Sequence, residues 1–264
     1  IPAVTWVAPV MAVLLVVITP KPPTGLEGTS GVDYLTFLQG NSSTCEFTTV
    51  VVPGTRCRQS IQGVNPEVVV IGDSHGEHLF PGLISETPEK PSAYIYLEDW
   101  PSIVSADSVA VVDSVARLES VEVVLVSARW NGVNVESPQL RQTIETLRQA
   151  GKKVVLLDDV PYFEFHAMEC EFVRLVGPRP RCDISRSDYQ ELKNGYVPQL
   201  EMIARETDAE LLSVGEVFCS LDRCSIVKGD VLQYADNGHV NVQGSRTLIK
   251  EILQTHSGSD SRID

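Results

Sequence analysis

Short apolar runs bounded by polar or turn-forming residues recur along the chain, and between them apolar residues fall three and four apart. EVVVIG (67–72), SAYIYLED (92–99), VEVVLVSARW (121–130), KKVVLLDDV (152–160) and AELLSVGEVFC (209–219) predict five strands. Runs that are continuously apolar rather than alternating mark strands buried on both faces. The intervening periodicity predicts helices over 76–85, where Pro81 shortens or kinks the element, 105–120, 137–151, within 186–207, and 242–256. Strands alternating with helices of this length require crossover connections. The pattern therefore predicts an α/β protein whose mainly parallel five-stranded sheet is covered on both faces, a three-layer α/β/α sandwich.

That order decides where chemistry can sit. In open α/β sheets, sites form beyond the carboxyl ends of the strands. Gly72-Asp73-Ser74, Asp99-Trp100, Arg129-Trp130-Asn131 and Asp158-Asp159 occupy those ends and are expected on one rim.

Residues 1–20 break the alternation. IPAVTWVAPVMAVLLVVIT carries no charge, and as a helix it would extend about 28 Å, close to the bilayer core. A transmembrane helix, the last of a truncated membrane domain, is predicted here. A signal peptide is the rival reading, but no basic segment precedes the apolar run. Residues 21–44, rich in Pro, Gly, Ser and Thr, read as a linker. The globular domain is predicted over 45–256, with a disordered tail at 257–264.

Composition narrows the function classes. The chain has 264 residues, 43% of them hydrophobic, enough for one sizeable α/β core. A net charge of −14 without a basic cluster argues against a nucleic-acid partner. The six cysteines fall as sequence-local pairs, Cys45/Cys57, Cys170/Cys182 and Cys219/Cys224. None has C-x-x-C metal spacing, and no metal or cofactor is expected. An even count beside a membrane segment points to disulfides and a domain outside the cytoplasm.

Ser74 follows the first strand and begins a helix, so it is either an N-cap or a nucleophile. A nucleophile needs a base in reach, and the base needs an orienting group. Among five histidines, His75 and His78 flank the serine as rim residues or substrate contacts, His166 lies in a long loop, and His256 is near the end. His239 differs, because Asp236 precedes it by three residues in DNGH, a turn set by Asn237-Gly238. There a carboxylate can fix the imidazole tautomer and leave the other nitrogen free. Trp100 and Trp130 are pocket walls or packing. The long loop after Val160 carries Tyr162 and His166, either as a substrate-covering element or as a plain insertion.

With GDSH (72–75) and DNGH (236–239) in this order and setting, the sequence resembles the SGNH, or GDSL-like, esterase and acyltransferase superfamily. It is most similar to the SGNH domains attached to membrane acyltransferase family 3 proteins, sharing the preceding apolar segment, the cysteine pair before GDSH, the ARW segment (128–130) and the late close cysteine pair. The resemblance implies a flavodoxin-like SGNH fold with Ser74 as nucleophile, His239 as general base, Asp236 as its orienter and Asp73 as support for the turn. The second-block glycine of the superfamily has no counterpart. ARWNG stands where Gly-x-Asn-Asp is expected, which offers Asn131 beside the Ser74 N–H as an oxyanion donor. His75, Trp100, Trp130, Tyr162 and His166 become candidate substrate contacts.

The expected function is then an extracytoplasmic O-acyltransferase, O-acetyl in the simplest case, acting on a cell-envelope glycan. Its partners would be an acyl donor, supplied through an attached or associated membrane acyltransferase domain, and the glycan acceptor. A carbohydrate esterase and a non-catalytic glycan-binding module are the alternatives.

Overall fold

The apolar run before Gly72 forms the middle of a twisted sheet. A computed structural model describes residues 31–47, 56–97, 100, 106–133, 135, 138–167, 169–170, 182–229 and 231–259. Within it, β1 (Ser43–Thr44) and β2 (Arg56–Gln59) precede β3 (Val68–Gly72), β4 (Ser92–Tyr96), β5 (Val123–Ser127) and β6 (Lys153–Leu157). Further along lie β7 (Asp183–Ser185), β8 (Glu210–Leu212), β9 (Arg223–Ser225), β10 (Val227–Lys228) and β11 (Val231–Leu232). The main sheet has the order β1-β2-β4-β3-β5-β6-β8. β4, β3, β5, β6 and β8 run parallel, and β2 and β1 add an antiparallel edge.

Side chains alternate across this sheet, as successive strand residues must. Val69, Ile71, Ile95, Val124, Val126 and Leu156 face one core. Onto it pack α4 (Ala106–Arg117), α5 (Pro138–Gln149) and α7 (Val197–Thr207), through residues such as Val115, Ile144 and Ile203. Val70, Tyr94, Leu125 and Val155 face the other core, with α1 (Gly31–Asn41), α3 (Phe80–Glu86) and α8 (Val242–Ser259) contributing Leu38, Phe80 and Leu248. Each fully buried Val or Leu contributes about 1.5–3 kcal/mol. The three layers and the parallel strands match the expectation.

Other features differ. The helix expected at 76–85 is two, a single turn α2 (Ser74–Glu77) and then α3, in whose first turn Pro81 sits. Proline is tolerated there because its missing N–H has no intrahelical partner to lose. The segment 186–207 is likewise split into α6 (Arg186–Asn194) and α7, with a proline again in the first turn of the second. After Leu212 the predicted fifth strand stops, because the Val214 and Gly215 N–H groups turn onto the Asp158 carboxylate, at 2.7 and 3.3 Å.

Within the predicted linker, residues 31–44 are folded. Leu38 is buried, and Arg58 donates to the Leu38 and Ser42 carbonyls at 3.0 and 2.6 Å. The closing helix runs to Ser259, two residues past the expected start of the tail. The predicted span 1–20, linker residues 21–30 and tail residues 260–264 lie outside the described residues. Among the described residues, no helix is long and apolar enough to cross a membrane.

Candidate active site

Gly72 lets β3 end hard against β5. A β-carbon there would sit 2.0 Å from the Ser127 carbonyl oxygen, so no other residue fits without moving backbone. Asp73 then ties the turn together. One carboxylate oxygen accepts the His75 N–H at 2.8 Å, and the other accepts the Arg129 N–H at 2.9 Å across the gap to the end of β5. The Tyr94 hydroxyl donates to the Asp73 carbonyl at 3.0 Å. Burial, opposed by His75 and these N–H groups, leaves the Asp73 carboxyl above its ordinary pKa. Ser74 is the first residue of α2, where an N–H has no intrahelical acceptor.

The partner loop closes on itself before it reaches the serine. Ala235 N–H donates to the His239 carbonyl at 2.8 Å, and one Asp236 oxygen accepts the Gly238 and His239 N–H groups at 2.8 and 2.7 Å. The other Asp236 oxygen lies 2.8 Å from His239 Nδ1, and His239 Nε2 lies 2.9 Å from Ser74 Oγ. Burial would raise the Asp236 pKa, but the His239 ring and the two N–H groups outweigh it and hold the carboxyl well below its usual range. An ionised Asp236 places the proton on Nδ1, so Nε2 is left to accept from the serine hydroxyl. Residues 165 apart in the chain thus form one relay.

Tyr162 packs on the same loop. A β-carbon at Gly238 would meet its ring at 2.9 Å. Asn237 Nδ2 donates to the Tyr162 hydroxyl at 2.6 Å, and Phe163 N–H donates to the Asn237 carbonyl at 2.8 Å. Beside Tyr162 opens a trench of about 850 Å³, whose walls also include Asn131, Phe165, Glu164, Asp188 and Glu191. Asn131 is exposed on the turn after β5.

The remaining candidates are placed elsewhere. His75 is only 2% exposed, and its Nδ1 lies 2.7 Å from an Asp159 oxygen, so it is walled off from substrate. Trp130 is wholly buried, with its indole N–H donating to the Leu157 carbonyl at 2.7 Å, and Trp100 is buried in the same core. Both tryptophans pack the sheet rather than wall a pocket. His166 is exposed on its loop, and its backbone N–H donates to Glu169 at 3.3 Å. His78, buried, lies tilted to the His75 ring and edge-on to the His239 ring, and burial with those neighbours lowers its pKa well below the ordinary value.

The cysteines pair as Cys45–Cys57, Cys170–Cys182 and Cys219–Cys224. The first staples the antiparallel edge, and the second joins the segment that begins at Tyr162 to the start of β7. Such bonds suit an extracytoplasmic compartment. Among the described residues, no group of His, Cys, Asp or Glu is arranged to hold a metal.

Sequence reading missed Asp159 as the partner of His75 and the Tyr94 hydroxyl under the Ser74 turn. It placed Asp158-Asp159 on the rim, but no signal in consecutive acids says which partner each will meet.

Comparison with known proteins agrees with this architecture. No curated protein sequence matches the chain. Among solved structures, the periplasmic domain of a lipopolysaccharide acetyltransferase from Salmonella ser. Paratyphi A is similar at a TM-score of 0.53 and 17% identity, over 72% of this chain and 84% of that one. A carbohydrate acetylesterase from Sinorhizobium meliloti matches at 0.38 and 12%, over 74% of this chain and 99% of its own. A peptidoglycan O-acetylesterase matches at 0.35 and 12%, over 58% and 41%. At these identities the first likeness is one of fold, and the other two carry no argument. The family described as SGNH domain (fused to AT3 domains) matches residues 41–254, and the chain belongs to that family.

Proposed function

We propose that the chain is an extracytoplasmic serine-dependent O-acyltransferase, O-acetyl in the simplest case, that esterifies a hydroxyl of a cell-envelope glycan. Family membership supports acyl transfer or ester chemistry in general. The observation that carries the finer reading is the relay from Asp236 through His239 to Ser74, with both contacts at hydrogen-bond length, 2.8 and 2.9 Å.

In the first half-reaction, Ser74 Oγ attacks the donor's acyl carbonyl while His239 Nε2 takes its proton. Asp236 stabilises the imidazolium so formed. The tetrahedral oxyanion accepts from the Ser74 N–H and from Asn131. Because α2 is one turn long, the donor here is the N–H itself rather than a helix dipole. His239 then protonates the leaving group, leaving acyl-Ser74. In the second half, His239 removes the proton from a sugar hydroxyl, which attacks the acyl-enzyme, and collapse returns the proton to Ser74. Water in place of the sugar would make the same site an esterase.

The trench beside Tyr162 suits the acceptor. Tyr162 and Phe165 offer faces for the apolar side of a sugar ring, and its carboxylates accept from sugar hydroxyls. Fusion to AT3 domains in the family supports a membrane partner that delivers the acyl group, with residues 1–20 as the anchor.

The test is turnover of p-nitrophenyl acetate, with a serine-directed inhibitor to label the nucleophile, followed by addition of soluble oligosaccharide acceptors. Labelling at Ser74 with acyl-sugar formation is expected. Hydrolysis alone, undiminished by acceptors, would make the protein an esterase. No turnover and no label would leave a glycan-binding module.

A further inference from the structure

His75 follows the proposed nucleophile directly and is neither a substrate contact nor part of the relay. Its ring centroid lies 4.7 Å from that of His239, with the planes tilted by 55°. Its Nδ1 bonds the Asp159 carboxylate at 2.7 Å. That carboxylate is fixed in turn, since the same oxygen accepts the Val160 N–H at 2.8 Å and the Asp159 carbonyl accepts the Tyr189 hydroxyl at 3.0 Å. The pair is nearly dry, with side chains 3% and 10% exposed. A charge held in such a place acts at short range with little screening.

The charges around His75 come from every neighbouring element. Asp159 stands at the end of β6, Asp73 on the preceding turn, and Arg129 at the end of β5. His78 lies one turn on, 5.3 Å away ring to ring. His239, with Asp236 behind it, faces His75 from the loop before α8. The directly bonded group is a carboxylate, and Arg129 is the one permanent cation of this set.

We propose that His75, locked by Asp159, is a buried imidazolium that acts as a positioning residue through His239, its fixed positive charge lying against the Ser74–His239 pair. Burial alone would discharge it, but Asp159 and Asp73 outweigh burial and raise its pKa above the ordinary imidazole value. A cation at this ring-to-ring distance opposes a second positive charge on the facing imidazole. The same charge favours negative charge developing beside Ser74. The inference rests on the reading of Ser74 and His239 as the reacting pair.

The experiment has two arms. In the first, the His75 ring is titrated by NMR in the wild type and in Asp159→Asn. A wild-type midpoint above the free imidazole value, falling by about one pH unit or more in the variant, is expected. In the second, pH profiles of kcat/KM for p-nitrophenyl acetate are compared among wild type, His75→Gln, Asp159→Asn and Asp159→Glu, with melting temperatures recorded. The acid limb should move up by about one pH unit in His75→Gln, less in Asp159→Asn, and return toward wild type in Asp159→Glu, with KM unchanged.

A neutral wild-type His75, or an acid limb that stays put in folded variants whatever the rate, overturns the proposal. If His75→Gln does not fold, the two Asp159 variants decide the second arm. If the wild type neither turns over ester nor labels at Ser74, the functional reading falls, while the NMR arm still decides whether the buried cation exists.

Discussion

Two histidine–carboxylate pairs stand side by side at the carboxyl ends of the strands, and their bonds are nearly the same length. His239 and Asp236 meet at 2.8 Å, His75 and Asp159 at 2.7 Å. Bond length therefore assigns neither role. The first pair is about one-third exposed, and its second ring nitrogen reaches Ser74 Oγ. The second is almost entirely enclosed, and its carboxylate also accepts the Val160 N–H. Access, and the reach of one ring to the serine, separate the proposed base from the proposed fixed charge. The residue chemistry is the same in both.

The sharpest way to break this comparison is to cut each pair at its carboxylate. Asp236→Asn should lower kcat by about 10⁴-fold, because the amide stabilises the wrong tautomer of His239 and no longer balances the imidazolium. Ser74→Ala and His239→Ala should lose at least as much, and the double variant little more, since groups that act as a unit are not additive. Esterase kinetics with circular dichroism as a folding control check this. Additive losses would mean that the two residues do not share one proton path.

Next in size is a loss of stability just behind the second pair. Asp158, adjacent in sequence to Asp159, turns the other way to a buried lysine. Lys193 Nζ lies 2.8 Å from Asp158, 3.0 Å from Glu216 and 2.6 Å from Ser213 Oγ. Burial raises the Asp158 pKa, and Lys193 opposes the rise. Lys193→Met takes the cation from that carboxylate and leaves it to the Ser213, Val214 and Gly215 donors, at a cost of about 3 kcal/mol. Melting temperature should fall by roughly 10 °C, while kcat measured well below the transition changes little. Loss of activity without loss of stability would place this network in the site.

What the sequence disclosed follows the same division. Parallel strands such as Val68–Gly72 announce themselves because both faces are buried and every position is apolar. β2 does not, because its residues are RCRQ and it sits near the sheet edge. Residues 31–41 read as a tether from composition, yet Arg58 from β2 ties their carboxyl end down. No local pattern contains that contact. Asp236 and His239 were legible because three residues in a turn set their geometry. Asp159 was not, because its partner lies 84 residues earlier and the adjacent Asp158 is chemically identical. Trp130 sat on the predicted rim, but only the fold shows that its indole N–H points inward to Leu157.

Asn131 tests the acceptor side of the comparison. It shares the trench wall with Tyr162. Asn131→Ala should reduce kcat by about 10²-fold if the proposed oxyanion donor is lost, with KM within about twofold of wild type. If KM rises several-fold and kcat holds, Asn131 binds acceptor in the trench and the second oxyanion donor lies elsewhere.

The smallest expected effect separates the pairs by sign. Asp236 titrates lower in the folded chain than its ordinary 3.8. It therefore contributes stability above the unfolded value, and that contribution is lost as pH falls through the folded one. His75 titrates above its ordinary 6.5. Its contribution is complete below that value and is lost as pH rises through the folded pKa. The difference in melting temperature between wild type and His75→Gln should therefore be constant in acid and shrink as pH rises above 6.5. That between wild type and Asp236→Asn should stay level over the same range and shrink only in acid. Each change should amount to a few degrees, read from thermal melts in a buffer series. Parallel pH dependence in the two variants would mean that the His75–Asp159 contact is not held as an ion pair in the folded chain, and the contrast between the two pairs would be gone.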